Sequence, residues 1–186
     1  MMIAAVVLAA GSSSRLGQPK QDLRFGPETL LQRCVRIAHL AGLDPVLVVT
    51  APDHSPELDE RVRILVNHSA AEGMASSIRT GIAGAIQANA DAVVILACDQ
   101  PSVTAGHLRD LSRGANEIVA SAYAGRKGIP AYFPAKEFEG LMNLHGDVGA
   151  RDLVREAQAL DLPHGELDID TVEDLKLARK LYPETP

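Results

Sequence analysis

The stretch Leu8-Ala9-Ala10-Gly11-Ser12-Ser13-Ser14-Arg15-Leu16-Gly17-Gln18-Pro19-Lys20 gathers the residue types that hold an oligophosphate. An apolar run ends in Gly11, and three small hydroxyl residues follow. Glycine and serine let successive backbone N–H groups turn into one concavity, which suits phosphate oxygens. Arg15 and Lys20 add fixed positive charge, as an anionic ligand needs. The pattern is not a P-loop: five residues separate Gly11 from Gly17 instead of four, and Lys20 does not follow Gly17 directly. Nor is it the dinucleotide fingerprint, because Ser13 stands where the second glycine belongs. An ordinary Gly/Ser strand-to-helix turn fits the same residues, so spacing alone leaves both readings open.

Asp99 is the second candidate. It follows the apolar run Ala92–Cys98, at the strand edge where open α/β sheets bind ligands. A carboxylate beside a phosphate loop is what a hard cation such as Mg²⁺ needs to bridge phosphate oxygens. Asp before Gln-Pro also suits a simple Asx turn. The remaining polar groups have local explanations. Thr171-Val172-Glu173-Asp174 has the form of a capping box, so Asp168 and Asp170 read as structural. Ser76 and Ser77 suit helix N-caps, and Asp147 suits the N-cap of a helix opening at Val148-Gly149-Ala150-Arg151. Cys98 reads as a small buried residue, not a nucleophile. His68 and His145 stand alone, without a visible partner.

These side chains need a frame. Ile3–Ala10, Pro45–Thr50 and Ala92–Cys98 are short apolar runs without alternation, which predicts parallel strands buried on both faces. Arg63–Val66 is a weaker strand. Helical spacing covers Leu30–Leu40 and Ser77–Ala88. The order strand, helix, strand, helix predicts an α/β fold with a mostly parallel, Rossmann-like sheet and helices on both faces, three layers in all. The first helix starts only near Glu28–Leu30, so a long loop must follow the first strand. Further on, a short helix at His107–Arg113 precedes two strands, Glu117–Tyr123 and Ile129–Pro134, joined by a Gly-rich turn; this hairpin predicts an antiparallel strand on the parallel sheet. Helical patterns follow at Ala135–Leu144, Gly149–Ala159 and Val172–Leu181, and Pro183–Pro186 reads as a frayed tail.

Composition bounds the partners. The 186 residues are 46% hydrophobic and 23% charged, ordinary usage for one domain spanning residues 1–186. Aromatic residues make up only 3%, without Trp, so Ala, Val, Leu and Ile must build the core. A formal charge of −6 argues against nucleic acid as the main partner, yet a small phosphate ligand needs only a few local cations. The longest apolar runs fall far short of the roughly 18 residues of a membrane span, and the first, without a basic n-region and small-residue cleavage site, does not read as a signal peptide. Cys34 and Cys98 match no zinc or redox spacing. The expectation is a soluble, cytoplasmic protein that binds neither membrane nor nucleic acid.

Leu8 to Lys20, read as Leu-Ala-Ala-Gly-x-Ser-x-Arg-x-Gly-x-Pro-Lys, resembles the signature of MobA-like nucleotidyltransferases, and within them the molybdenum cofactor cytidylyltransferases of the MocA type. The motifs Asn67 with Gly73-x-x-Ser76-Ser77-Ile78-x-x-Gly81, Cys98-Asp99-Gln100-Pro101, Gly128-x-Pro130, Gly146-Asp147-x-Gly149-Ala150-Arg151 and Asp168-Ile169-Asp170-Thr171 follow in family order. The resemblance covers nearly the whole chain. Leu16 stands where Met is usual, and Val172 where Pro often opens the last helix. The resemblance implies a nucleotide-diphospho-sugar-transferase-like fold, and transfer of CMP from CTP onto the phosphate of molybdopterin with loss of pyrophosphate. It implies catalytic roles for Arg15, Lys20 and Asp99, and Mg²⁺ held by Asp99 and Asp147. Leu8, Ala9, Ala10, Gly11, Ser12, Ser13, Asn67, Gly73, Ser77 and Asp99 would line the nucleotide. A molybdenum hydroxylase or its maturation factor is an implied partner. Two alternatives stand beside this: a sugar- or polyol-phosphate cytidylyltransferase, and a non-catalytic nucleotide-dependent accessory protein for molybdenum hydroxylase maturation. An NAD(P)-linked oxidoreductase fits least, for want of the dinucleotide glycine spacing.

Overall fold

The computed structural model describes residues 1–11, 18–147 and 149–182. In chain order the elements are β1 (Ile3–Ala9), β2 (Arg24–Phe25), β3 (Glu28–Thr29), α1 (Leu30–Leu40), β4 (Val46–Thr50), β5 (Arg63–Val66), α2 (Met74–Gln87), β6 (Ala92–Ala97) and α3 (Ala105–Leu111). They continue with β7 (Val119–Tyr123), β8 (Arg126–Pro134), α4 (Phe138–Met142), α5 (Arg151–Val154), β9 (Gln158–Asp161) and α6 (Val172–Leu181).

The apolar runs become the centre of a seven-stranded sheet in the order β5-β4-β1-β6-β8-β7-β9. β1 pairs in parallel with β4 and β6, and β4 with β5. β8 runs antiparallel to both β6 and β7. Alternate β1 residues serve opposite faces, as strand geometry requires. Ala5, Val7 and Ala9 pack with Leu31, Val35 and Ala38 of α1 and Leu108 of α3, whereas Ala4 and Val6 pack with Ile78 and Ile82 of α2 and Phe138 of α4. Three layers result, with a core of small aliphatic side chains. Gly81 lets α2 sit close on the sheet: a Cβ there would lie 2.2 Å from a Val6 methyl.

Two helix starts are written locally. Thr29 Oγ1 accepts from Gln32 N at 3.1 Å while Thr29 N donates to Gln32 Oε1 at 2.9 Å, a reciprocal cap that opens α1. Thr171 and Asp174 do the same for α6. A third cluster, apart from the two sheet faces, joins Leu23, Phe25 and Leu30 to Ile169, Leu175 and Ala178. It pins the segment that leaves the first loop to the segment that enters α6.

Three expectations fail here. The stretch Gly149–Ala159 is not one helix: α5 stops at Val154, and Gln158–Asp161 joins β7 as a parallel edge strand. Its largely exposed residues carry no apolar run, so pairing with Val119–Ala122 supplies what propensity does not. The connection from residue 18 to α1 is not plain loop, but a single 3₁₀ turn, Lys20–Asp22, and the β2–β3 hairpin. The helix expected from Ser77 begins at Met74.

Candidate active site

β1 and β6 are parallel neighbours, so their carboxyl ends open on one edge of the sheet. Gly11 lies just beyond the first and Asp99 just beyond the second. Lys20 returns to this edge: a Cβ on Gly11 would lie 3.7 Å from Lys20 Cε. Lys20 Nζ donates to Asp99 Oδ2 and, at 3.1 Å, to Asp170 Oδ1. Burial opposes the Lys20 charge, but Asp99 and Asp170 outweigh it and hold the ammonium's pKa above its ordinary value. The Asp99 side chain is 10% exposed, so this ion pair is partly shielded from solvent and salt.

Residue 170 reaches a site built from residues 11, 20 and 99 through Ile169. Its side chain is fully buried in the third cluster, and its N–H donates to Asp99 O at 3.0 Å. One apolar anchor and one backbone bond thus bring two acidic residues to the sheet edge. Asp168 is half-buried there, and burial together with the charge of Asp99 raises its carboxyl pKa to about 6. Reading Asp168 and Asp170 as capping residues alone therefore misses their place: Asp174 closes the capping box, Asp170 pairs with Lys20, and Asp168 lies in the field of Asp99, Lys20 and Asp170.

The Asp168 shift has a stability consequence. Unfolded, this carboxyl titrates near the ordinary carboxylate value of 3.8; folded, near 6. Between those values the native state keeps a proton that the unfolded state has released, so the contribution of Asp168 to stability falls as pH rises through this window. Asp168→Asn resembles the protonated form at every pH. Melting curves should therefore show a variant equal to the parent near pH 4 and more stable from pH 6 upward, and equal curves at pH 7 would contradict the burial argument.

A second group of side chains surrounds the start of α2. Asn67 is buried; its Nδ2 donates to Ser76 Oγ at 2.8 Å and Ser77 Oγ at 3.0 Å, and its Oδ1 accepts from Ser69 N. Ser76 Oγ in turn donates to Gly73 O at 2.8 Å. Ser76 and Ser77 are not N-caps, since both lie inside the helix and Gly73 is the cap. Gly73 offers no side chain, and Asp147 takes the role: its Oδ1 accepts from Met74 N at 3.1 Å. Asp147 therefore caps α2, across 73 residues, and not α5, whose start at Ala150 has no side-chain cap. Gly73 is required twice over. Its φ is +108°, and a Cβ would stand 2.5 Å from Asp147 Oδ1.

Of the other expected residues, Leu8 and Ala9 belong to β1 and turn to opposite faces of the sheet, Ala9 buried and Leu8 partly buried. Ala10 is part-exposed and Gly11 exposed. Ser12, Ser13, Arg15 and Gly17 lie outside the described residues, as do Val148 and the expected tail Pro183–Pro186. Cys98 is buried as expected, and burial raises its thiol pKa well above the ordinary value, which suits packing and not nucleophilic attack.

Residues 5–162 match the family described as the MobA-like NTP transferase domain. The chain belongs to this family. It is one of nucleotidyltransferases, and Asp168 and Asp170 lie beyond the matched stretch. Among similar proteins, the purine catabolism protein PucB of Bacillus subtilis is 35% identical, with 94% of this chain and 95% of that protein aligned. The nicotine blue oxidoreductase of Paenarthrobacter nicotinovorans is 30% identical over 93% and 94% of the two chains. A probable molybdenum cofactor guanylyltransferase of Opitutus terrae is 31% identical over 71% of this chain and 66% of its own. The fold matches that of Rv0371c from Mycobacterium tuberculosis, with a TM-score of 0.78, 30% identity, and 97% and 98% coverage. Rv0371c has also been crystallised as a complex with manganese. No helix among the described residues is long and apolar enough to cross a membrane.

Proposed function

We propose that the chain transfers CMP from CTP onto the terminal phosphate of a molybdopterin acceptor and releases pyrophosphate. The observation that carries this reading is the meeting of Lys20, Asp99 and Asp170 beside Gly11, at the carboxyl edge of β1 and β6. A phosphate nucleophile is already ionised near neutral pH, so the reaction asks for alignment and charge neutralisation more than for proton transfer. Lys20, permanently charged, and Arg15 hold the phosphates of the leaving group. Asp170 orients Lys20 from its far side. The backbone of Leu8 to Gly11 and the Asn67–Ser77 group border the nucleotide.

The residues suit a divalent cation of the Mg²⁺ kind. The site's donors are carboxylate oxygens, and Asp99 already engages a cation in Lys20. Among the described residues no three His, Cys, Asp or Glu side chains gather into a metal-holding group. Mg²⁺ keeps waters and needs only one or two carboxylates besides phosphate oxygens. When bound, the ion neutralises charge building on the phosphates. Asp99 would hold it, with Asp147 committed at one oxygen to the Met74 amide. The manganese complex of Rv0371c supports the use of a divalent ion.

Ala10 bears on the base. In the resembling family the guanylyl branch usually has Gly-Gly at the positions of Ala10-Gly11, and the cytidylyl branch Ala-Gly. A methyl group beside the base crowds a purine more than a pyrimidine, worth about 1–3 kcal/mol or roughly 10- to 200-fold. CTP should be preferred over GTP and ATP within that range, and Ala10→Gly should narrow the preference without reversing it. Comparing kcat/KM for CTP and GTP on both proteins decides: a GTP-preferring parent overturns the cytidylyl assignment.

Two relatives that align end to end are named for purine catabolism and for an oxidoreductase, which favours weighing an accessory or redox role beside transfer. An NTP panel with molybdopterin as acceptor, following pyrophosphate release, tests the proposal. A parallel assay of NAD(P)H oxidation tests the redox role. Turnover of pyrophosphate excludes a pure carrier, and reduction of a dye without pyrophosphate release would replace the reading.

A further inference from the structure

We infer that Arg33 is a positioning residue that sets the place of Asp99, an inference that rests on the nucleotidyl-transfer reading above. Arg33 lies in the first turns of α1, on the opposite side of the sheet from α2. Its Nη2 donates to Pro101 O at 2.9 Å and to Val103 O at 3.2 Å. Both carbonyls belong to the turn that begins at Asp99. The guanidinium carbon also lies 5.7 Å from the centre of the Phe25 ring, in the hairpin that follows Lys20. One rigid, planar cation therefore touches the segment that carries the carboxylate and the segment that carries the ammonium.

The Asp99 turn is gripped from other directions as well. Asp99 O accepts from Ile169 N at 3.0 Å, and Gln100 Nε2 donates to Ile129 O at 3.2 Å and Gly165 O at 3.3 Å. These bonds hold residues 99 and 100. Residues 101 to 103 are tied by Arg33, by the Val103 N–H bond to Gln100 O at 3.3 Å and by the Val103 side chain, which is buried in the core beside α1 and α3. Without the guanidinium the carbonyls of Pro101 and Val103 lose their shared donor, and the peptide planes between the bonded Asp99 backbone and the buried Val103 side chain are free to rotate. The Asp99 side chain then changes its direction toward Lys20 while the sheet stays intact. A misplacement near 1 Å costs about 10²-fold in a reaction that depends on alignment. Lysine replaces the arginine only in part, because an ammonium on a flexible stem lacks the planar guanidinium that lies over the Phe25 ring while its Nη2 donates to both carbonyls. Arg36 provides the contrast. It sits on the same helix and holds the same hairpin through Glu28, with Nε 2.9 Å from Oε2, but among the described residues it bonds no carbonyl of the turn.

The test uses Arg33→Lys, Arg33→Met and Arg36→Gln in the full chain. Mn²⁺ titrations followed by electron paramagnetic resonance, with α,β-methylene-CTP present, report the metal midpoint; pyrophosphate release and thermal melts run alongside. For Arg33→Met we expect kcat lowered roughly 10- to 100-fold, the triphosphate KM within about threefold, and the Mn²⁺ midpoint raised about fivefold or more. Arg33→Lys should fall between Arg33→Met and the parent, and Arg36→Gln should match the parent in kcat and midpoint. If Arg33→Met does not fold, Arg33→Lys carries the same readouts. A folded Arg33 variant with the parent's midpoint and kcat overturns the inference, as does a drop in melting temperature with no change in midpoint. A parent chain that takes up no Mn²⁺ with the nucleotide analogue removes the transfer reading itself, a failure distinct from a parent that binds and variants that bind equally.

Discussion

Asp99→Asn should lower metal-dependent nucleotidyl transfer by about 10²–10³-fold, the cost of one positioned electrostatic group, and more if the ion is lost outright. The fold should survive. Asp99 lies beyond β6, and its backbone carbonyl, which accepts from Ile169 N, is untouched by the substitution. Removing its charge deprives Lys20 of a partner but also relieves the carboxyl of Asp168, whose pKa Asp99 helps to raise. These opposed effects keep the stability change small. Two measurements check the claim together: pyrophosphate release across a Mg²⁺ series, and the Asp168 titration followed by NMR, which should move down toward the ordinary carboxylate value of 3.8. A folded Asp99→Asn protein with parental turnover would remove the metal assignment.

The second large effect is expected at the cations. Lys20→Ala should reduce kcat/KM for the triphosphate by about 10²-fold, and the Arg15→Ala, Lys20→Ala double variant by more, while the apparent affinity for the acceptor changes little. Lys20 remains an ammonium throughout the working pH range, because Asp99 and Asp170 outweigh its burial. Its loss therefore removes a full charge and leaves three neighbouring carboxylates less well compensated. Lys20→Arg, which keeps the charge, should retain more activity than Lys20→Ala. Unchanged triphosphate kinetics in a folded double variant would contradict the assignment of these cations to the donor's phosphates.

The frame was legible because it rests on local signals. Ile3–Ala9, Val46–Thr50 and Ala92–Ala97 carry their burial in their composition, since a strand covered on both faces needs no polar alternation. The capping box at Thr171 is written within four residues and appears where it was expected. Asp99 was legible for the same reason: a carboxylate after a buried strand must emerge at the sheet's ligand-binding edge. The family signature added the nucleotide and the acceptor as expectations.

Tertiary structure decided what depends on partners distant in sequence. Gln158–Asp161 is a strand because β7 offers a free edge, and nothing in its own four residues says so. Asp147, next to one helix, caps another, because Gly73 leaves the amide of Met74 without a side chain of its own to bond. Asp170 meets Lys20 across 150 positions only because Ile169 fills a pocket made by Leu23, Phe25 and Leu30. Arg33, an ordinary helical cation by sequence, finds the Asp99 turn through the layer packing that sets α1 against the sheet. The sequence by itself determined which segments are buried and that Gly11 and Asp99 follow buried strands, since burial and backbone geometry act over a few residues. Which charges meet was settled by the docking of α1 and α6, because electrostatic and hydrogen-bond partners are chosen by distance in space and not along the chain.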